Sequence, residues 1–165
     1  MANPPSHAQE FRPSEYQVKA AFLFNFAKFV QWPPQAFSSK TSPLVIGVLG
    51  ENPFHDDLAR AIRDKTVDEH PVIMKELRSP TQATNCHILF ISSSEKQQLP
   101  EIFKTLKKTN VLTVGETEGF ARSGGMINFV LEGTKVRFEI NKDATVGAGL
   151  KISSKLMSLA LPPSG

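Results

Sequence analysis

From Ser14 to Gln31 apolar residues recur at the spacing of a helix. Placed at 100° intervals, Val18, Phe22, Phe26, Phe29 and Val30 fall on one broad side together with Leu23 and Ala27. Ser14, Gln17, Asn25, Lys28 and Gln31 fall on the other. The segment opens with Ser14-Glu15-Tyr16-Gln17, a hydroxyl followed three residues later by a glutamine, which forms a capping box. Pro33-Pro34 stops it, so the pattern predicts a helix to about Gln31. Two residues break the pattern. Phe24 sits among the polar set, either as a surface aromatic or loop contact or as a surface for a partner. Lys19 lies inside the apolar arc, either as a stem running over the core edge or as a partner contact.

Three runs, 44–49, 87–92 and 111–115, are continuous and aliphatic, which is how strands buried on both faces read. Val72-Ile73-Met74 is a weaker fourth. Helical segments are expected between them at about 53–63 and 95–107. Strand and helix in alternation predict a parallel sheet with right-handed crossovers.

The last third changes style. Residues 126–131 and 135–140 flank Gly133-Thr134, a tight hairpin turn with glycine first. That turn sets Leu131 opposite Val136, Phe129 opposite Phe138, Ile127 opposite Ile140 and Glu132 opposite Lys135. Asn128, Arg137 and Glu139 occupy the other, wetter face and form a second candidate partner surface. Asn141 is a good N-cap and Asp143 sits in the first turn of a final helix. Gly149, Ile152, Leu156 and Leu159 would make its inward stripe. Gly147-Ala148-Gly149 would let a backbone approach closely, from within the chain or from a second subunit. The expected fold class is α/β: a mostly parallel central sheet with helices on both faces, a C-terminal antiparallel β-hairpin and a final helix. Residues 14–161 are expected to form one domain. Residues 1–13 read as a tail or export-signal remnant, and 162–165 as a C-terminal tail.

The totals narrow the function. A length of 165 residues suits one domain with a real core, and 40% hydrophobic with 21% charged residues is a globular balance. Twelve Phe against one Trp and one Tyr favour dry packing. Net charge is only +3, and Lys104, Lys107 and Lys108 have the spacing of a solvated helix face, so no nucleic-acid stripe is present. The longest apolar stretch, Ala20 to Val30, is interrupted by Asn25 and Lys28 and is too short to span a bilayer. Cys86 is the only cysteine, which rules out an intramolecular disulfide. Ser6-His7-Ala8 is a small-x-small triplet of the kind that precedes signal cleavage, or a chance match.

Catalytic signatures are missing: no Gly-x-Ser-x-Gly elbow, Walker loop, His-Glu-x-x-His or Cys-x-x-Cys occurs. Gly147-x-Gly149 lacks the third glycine of a dinucleotide fingerprint. Cys86 and His87 are neighbours on a strand and point to opposite faces, so they are no nucleophile–base pair, and Cys86 reads as a small buried hydrophobe. Glu51, His55, Asp56 and Asp57 read as an acidic first turn ahead of a metal site. No catalytic residue, metal or cofactor is expected. One binding site survives. In an open parallel sheet ligands sit beyond the carboxyl ends of the strands, here marked by Gly50, Asn52, Phe54, Ser93, Gly115 and Glu116. Ordinary caps and turns would place the same residues there.

The ordered segments 15–33 (EYQVKAAFLFNFAKFVQWP), 46–54 (IGVLGENPF), 86–92 (CHILFIS), 111–116 (VLTVGE), 124–129 (GGMINF), 136–141 (VRFEIN) and 148–156 (AGLKISSKL) resemble the YfiR-like family of small periplasmic proteins. The resemblance covers nearly the whole chain from Glu15. It implies a periplasmic repressor, exported and not itself membrane-spanning, that binds the periplasmic sensor portion of a membrane-anchored diguanylate cyclase. Such a protein lowers cyclic di-GMP and biofilm formation and tends to self-associate, as a homodimer. The family's best-known type carries paired cysteines, whereas this chain has Cys86 alone. On this reading Lys19, Phe24, Asn128, Arg137 and Glu139 are the candidate partner-binding residues. The rival reading is a small-molecule receptor that uses the strand-end cleft.

Overall fold

In the computed structural model residues 14–162 are described. The tail assigned to 1–13, with its Ser-His-Ala triplet, lies outside the described residues, as does all of the C-terminal tail except Pro162.

Helix α1 (Glu15–Phe29) starts as its sequence dictates: the Gln17 amide N–H donates to Ser14 Oγ, and the Ser14 N–H donates back to the Gln17 side chain. Its buried stripe is Lys19, Ala20, Leu23, Phe26 and Ala27. Phe22 and Phe26 pack their rings against Phe129 and Phe138, with centroids 5.2–6.1 Å apart. The helix stops two residues short of the expected end. Val30 and Gln31 turn extended as strand β1 (Val30–Gln31), because the backbone there pairs with residues 151 and 152.

A seven-stranded mixed sheet follows. It is built from β2 (Leu44–Leu49), β3 (Thr66–Val67), β4 (His70–Leu77), β5 (Ile88–Ile91), β6 (Leu112–Gly115), β7 (Ile127–Glu132) and β8 (Lys135–Ile140). Across the sheet the order is β3-β4-β2-β5-β6-β7-β8. The five central strands, β4 to β7 in that order, run parallel, and each edge ends in an antiparallel strand. The weak run at Val72-Ile73-Met74 is the middle of an eight-residue strand, and its exposed Lys75 and Glu76 hid it from a hydrophobic reading.

Side-chain alternation sorts the sheet into two cores. Ile46, Val48, Ile88, Phe90, Leu112, Val114, Ile127 and Phe129 meet α1 and helix α2 (Asp57–Ile62). Leu49, Leu77, Leu89 and Ile91 meet helix α3 (Leu99–Leu106) and Phe120 on the other face. Both crossover helices are shorter than expected. Asn52 closes a turn by accepting the Phe54 N–H, and His55 takes φ 52°, so α2 begins only at Asp57. Ser93–Gln98 form a 3-10 turn, and the α-helix starts just before Pro100, which fits the first turn.

The hairpin has the expected register throughout, from Ile127–Ile140 to Glu132–Lys135. Its outer face is not uniformly wet, however: Asn128 is 2% exposed. The final helix is a clear correction. Asn141 does cap a helix, α4 (Lys142–Gly147), by accepting the Ala144 N–H. Gly149 then takes φ 78°, a left-handed conformation that ends it. The chain continues as β9 (Lys151–Ile152), paired with β1, and a second short helix, α5 (Ser154–Leu159). Of the expected stripe only Leu156 is fully buried; Leu159 is exposed. No helix among the described residues is long and apolar enough to cross a membrane.

Candidate functional site

Residues from both candidate groups meet where β6 ends beneath the first turns of α1. Lys19 belongs to the buried stripe of α1, so its stem runs into the protein and its ammonium stops beside Glu116, the first residue after β6. Lys19 Nζ donates to Glu116 Oε1 at 2.7 Å and also to the Glu15 carboxylate one turn back. The Tyr16 hydroxyl donates to the second oxygen, Glu116 Oε2, at 3.0 Å. The ammonium also stands 4.8 Å from the Tyr16 ring centroid and 5.6 Å from that of Phe129. Lys19 is 3% exposed, so this is a buried cation held by two carboxylates and two rings. Burial, then the charge and hydrogen bond of Glu116, push the Tyr16 hydroxyl well above the usual tyrosine range, so it stays a donor.

A cleft of about 420 Å³ opens over this cluster. Glu15, Tyr16, Lys19, Ser93, Glu116, Glu118, Asn128 and the 129–131 stretch line it. Lys19 and Asn128, expected on partner surfaces, therefore join Ser93 and Glu116, expected in a ligand cleft. Asn128 Oδ1 is buried with no hydrogen-bond partner. The hydroxyl of Thr117, next to Glu116, is in the same state. Glu15, Tyr16 and Glu118 escaped sequence reasoning. The signal for the first was present: Glu15 and Lys19 are four residues apart, with the lysine in the apolar arc.

The remaining candidates lie elsewhere. Gly50 takes φ 94°, and a side chain there would collide with Ser94 Oγ at 2.6 Å. Asn52 is spent on its turn: Oδ1 accepts from Phe54, and Nδ2 donates to Glu76 Oε2 at 2.9 Å. Phe54 is fully buried and edges against Tyr16 and Phe90, so its ring belongs to the core and supports the cleft from beneath. Gly115 is covered by the Phe120 ring. Phe24 is half-buried beside Lys28, Arg137 pairs with Glu132 at 3.0 Å, and Glu139 borders a different groove near Ile140 and Leu161. Among the described residues Glu51, His55, Asp56 and Asp57 form no metal-binding group.

At the opposite end of the sheet the Phe37 ring is stacked between two imidazoles. Its centroid is 3.8 Å from His70 and 4.2 Å from His87. His87 Nδ1 accepts the Val45 N–H at 3.0 Å and Nε2 faces Ala36 O at 2.8 Å, which fixes the neutral Nε2–H tautomer. Burial holds this histidine below its ordinary pKa, against the opposing effect of the Ala36 bond.

Fold and cleft define a mixed α/β domain with a charged, partly unsatisfied cleft at the strand ends. The chain belongs to the YfiR/HmsC-like family, whose model matches residues 16–161. The fold is similar to the crystal structure of a conserved domain protein from Vibrio cholerae O1 biovar El Tor, with a TM-score of 0.62 at 10% identity. That match covers 89% of this chain, which spans 59% of the length of the Vibrio chain.

Proposed function

We propose that this protein is a periplasmic negative regulator that binds the periplasmic sensor region of an inner-membrane diguanylate cyclase and represses cyclic di-GMP synthesis. Membership of the YfiR/HmsC-like family across residues 16–161 carries this reading. Repression needs no chemistry. The protein must only bind the inactive conformation of the cyclase better than the active one. A hundredfold difference in affinity supplies about 3 kcal/mol of control. Phe24, half-buried on α1, and the Arg137–Glu139 side of the hairpin are the surfaces assigned to the partner.

The strand-end cleft favours a second reading, a small-molecule receptor. Its buried charge cluster of Lys19, Glu15 and Glu116 at the strand ends supports that reading. A ligand there could modulate the repression, so the two readings are compatible. Deleting the gene tests the first: cellular cyclic di-GMP should rise and fall again when the exported protein is restored. Unchanged levels would remove the repressor reading and leave the receptor.

A further inference from the structure

A groove of about 610 Å³ opens beside the Phe37 stack, at the end of the sheet where β2 and β5 begin. Val45 and Ile73, cross-strand neighbours on β2 and β4, give it an apolar floor. One wall is the strap 35–43, which is clamped to the sheet. The Phe37 ring sits between two imidazoles, His87 Nε2–H donates to Ala36 O at 2.8 Å, and His70 Nδ1–H donates to Ser42 O at 2.6 Å. The groove is therefore formed before any ligand arrives. Two ammonium groups line it, Lys75 from β4 and Lys108 from the turn after α3, and among the described residues no aspartate or glutamate does. That turn leads into β6, and β2 and β5 separate β4 from β6, so the two lysines come from opposite sides of the floor. The Lys75 charge reaches far enough in to oppose the rise that burial imposes on the Cys86 thiol, another lining group. Lys75, Lys108 and the amides of Gln35 and Asn85 are exposed, and none of the four side chains makes a hydrogen bond or ion pair among the described residues. Lys108 also stands at φ 70°, a left-handed conformation that glycine adopts at less cost at a helix end. Folding alone thus favours glycine at a position where the chain carries an uncommitted cation.

Two cations on opposite sides of an apolar floor, with spare amide donors between them, match a molecule charged at both ends and apolar in the middle. We propose that this groove binds a small aliphatic dicarboxylate, one carboxylate on Lys75 and the other on Lys108, its methylenes over Val45 and Ile73. Asn85 and Gln35 donate to its oxygens. The site lies at the other end of the sheet from the Lys19 cleft and rests on neither functional reading given above.

The test titrates succinate, glutarate and adipate into the full chain by calorimetry, with pentanoate as the single-carboxylate control, and follows the Asn85 side-chain amide resonance. At least one diacid should bind saturably, more weakly as salt is raised. Pentanoate, which meets only one lysine, should bind about fivefold more weakly. In Lys75→Gln and in Lys108→Gln that advantage of the diacid should vanish, because its second carboxylate has lost its partner. Lys108→Gly should weaken the diacid equally while raising the melting temperature by about 2 °C, which separates loss of the ligand from loss of the fold. No saturable binding by any of the three diacids, equal binding of pentanoate, or an advantage that persists in both glutamine variants would overturn the assignment. Every measurement uses the chain alone, so its failure leaves the cyclase reading untouched.

Discussion

Taking the Lys19 ammonium out of water costs several kcal/mol, and Glu15 and Glu116 offset that cost only while both remain charged. Glu116→Gln should therefore lower unfolding stability by about 3 kcal/mol in urea titration. The double variant Lys19→Met/Glu116→Gln should lose less than Glu116→Gln alone, because it removes the stranded charge with its partner. Equal or larger loss in the double variant would mean that the pair is not coupled. His87 gives a dependence on pH. The groups facing it are the Val45 N–H, Ala36 O, the edge-on Trp32 ring, the Phe37 ring and, across that ring, His70. Protonating Nδ1 would set it against the Val45 N–H. Because the folded pKa is lowered, the unfolded chain binds more protons in acid. The contribution of His87 is complete above about pH 6.5 and disappears as pH falls through the lowered folded value. His87→Gln should flatten this acid limb in thermal melts between neutral pH and pH 5. Cys86 is 7% exposed, and burial pushes its thiol up to about 11. Iodoacetamide at pH 7.5 should leave it unmodified until the protein unfolds. Of these residue-level features, the sequence shows that Lys19 is misplaced on its helix with Glu15 four residues back, but not that Glu116 answers it as well. Glu116 is 97 residues away, and no local pattern encodes that contact.

Elements divide according to how local their determinants are. The capping box of α1 and the turn at Gly133 lie within a few residues, and both are legible: cap and hairpin register form as the sequence implies. Gly133 sits at φ 65° with open space around it, so its glycine answers to conformation alone. The end of the chain is different. A helical stripe through Gly149, Ile152, Leu156 and Leu159 satisfies periodicity, yet Ile152 pairs with Val30 in β9 and β1. Propensity loses there to a backbone partner more than a hundred residues away. A contrast of two glycines tests how packing limits substitution in the C-terminal third. Gly125 lies under Phe120, and an added Cβ would fall 2.1 Å from the ring. Gly125→Ala should cost about 2–3 kcal/mol. Gly147, the last residue of α4, has no neighbour within 4 Å of such a Cβ. Gly147→Ala should stabilise by about 0.5 kcal/mol, as read from the midpoint of denaturation.

For the whole molecule, the sheet places two different surfaces at two different ends. The charged cleft opens at the carboxyl end of β6, and the His70–Phe37–His87 stack closes the end where β2 and β5 begin. The α/β class and the central parallel strands could be read from aliphatic runs, whereas the convergence of Lys19, Ser93, Glu116 and Asn128 required the topology. Partner binding belongs to this scale. Phe24→Glu should reduce affinity for the membrane partner at least tenfold while lowering stability by only about 1 kcal/mol, since the ring is half-buried. Unchanged affinity would move the interface to the hairpin side. The central claim is tested most directly by capture from membranes of the source organism in mild detergent, with the tagged protein as bait. The account predicts recovery of a membrane protein that joins a periplasmic sensor to a cytoplasmic diguanylate cyclase domain. Repeated capture without any such protein, from membranes shown to contain one, would contradict it.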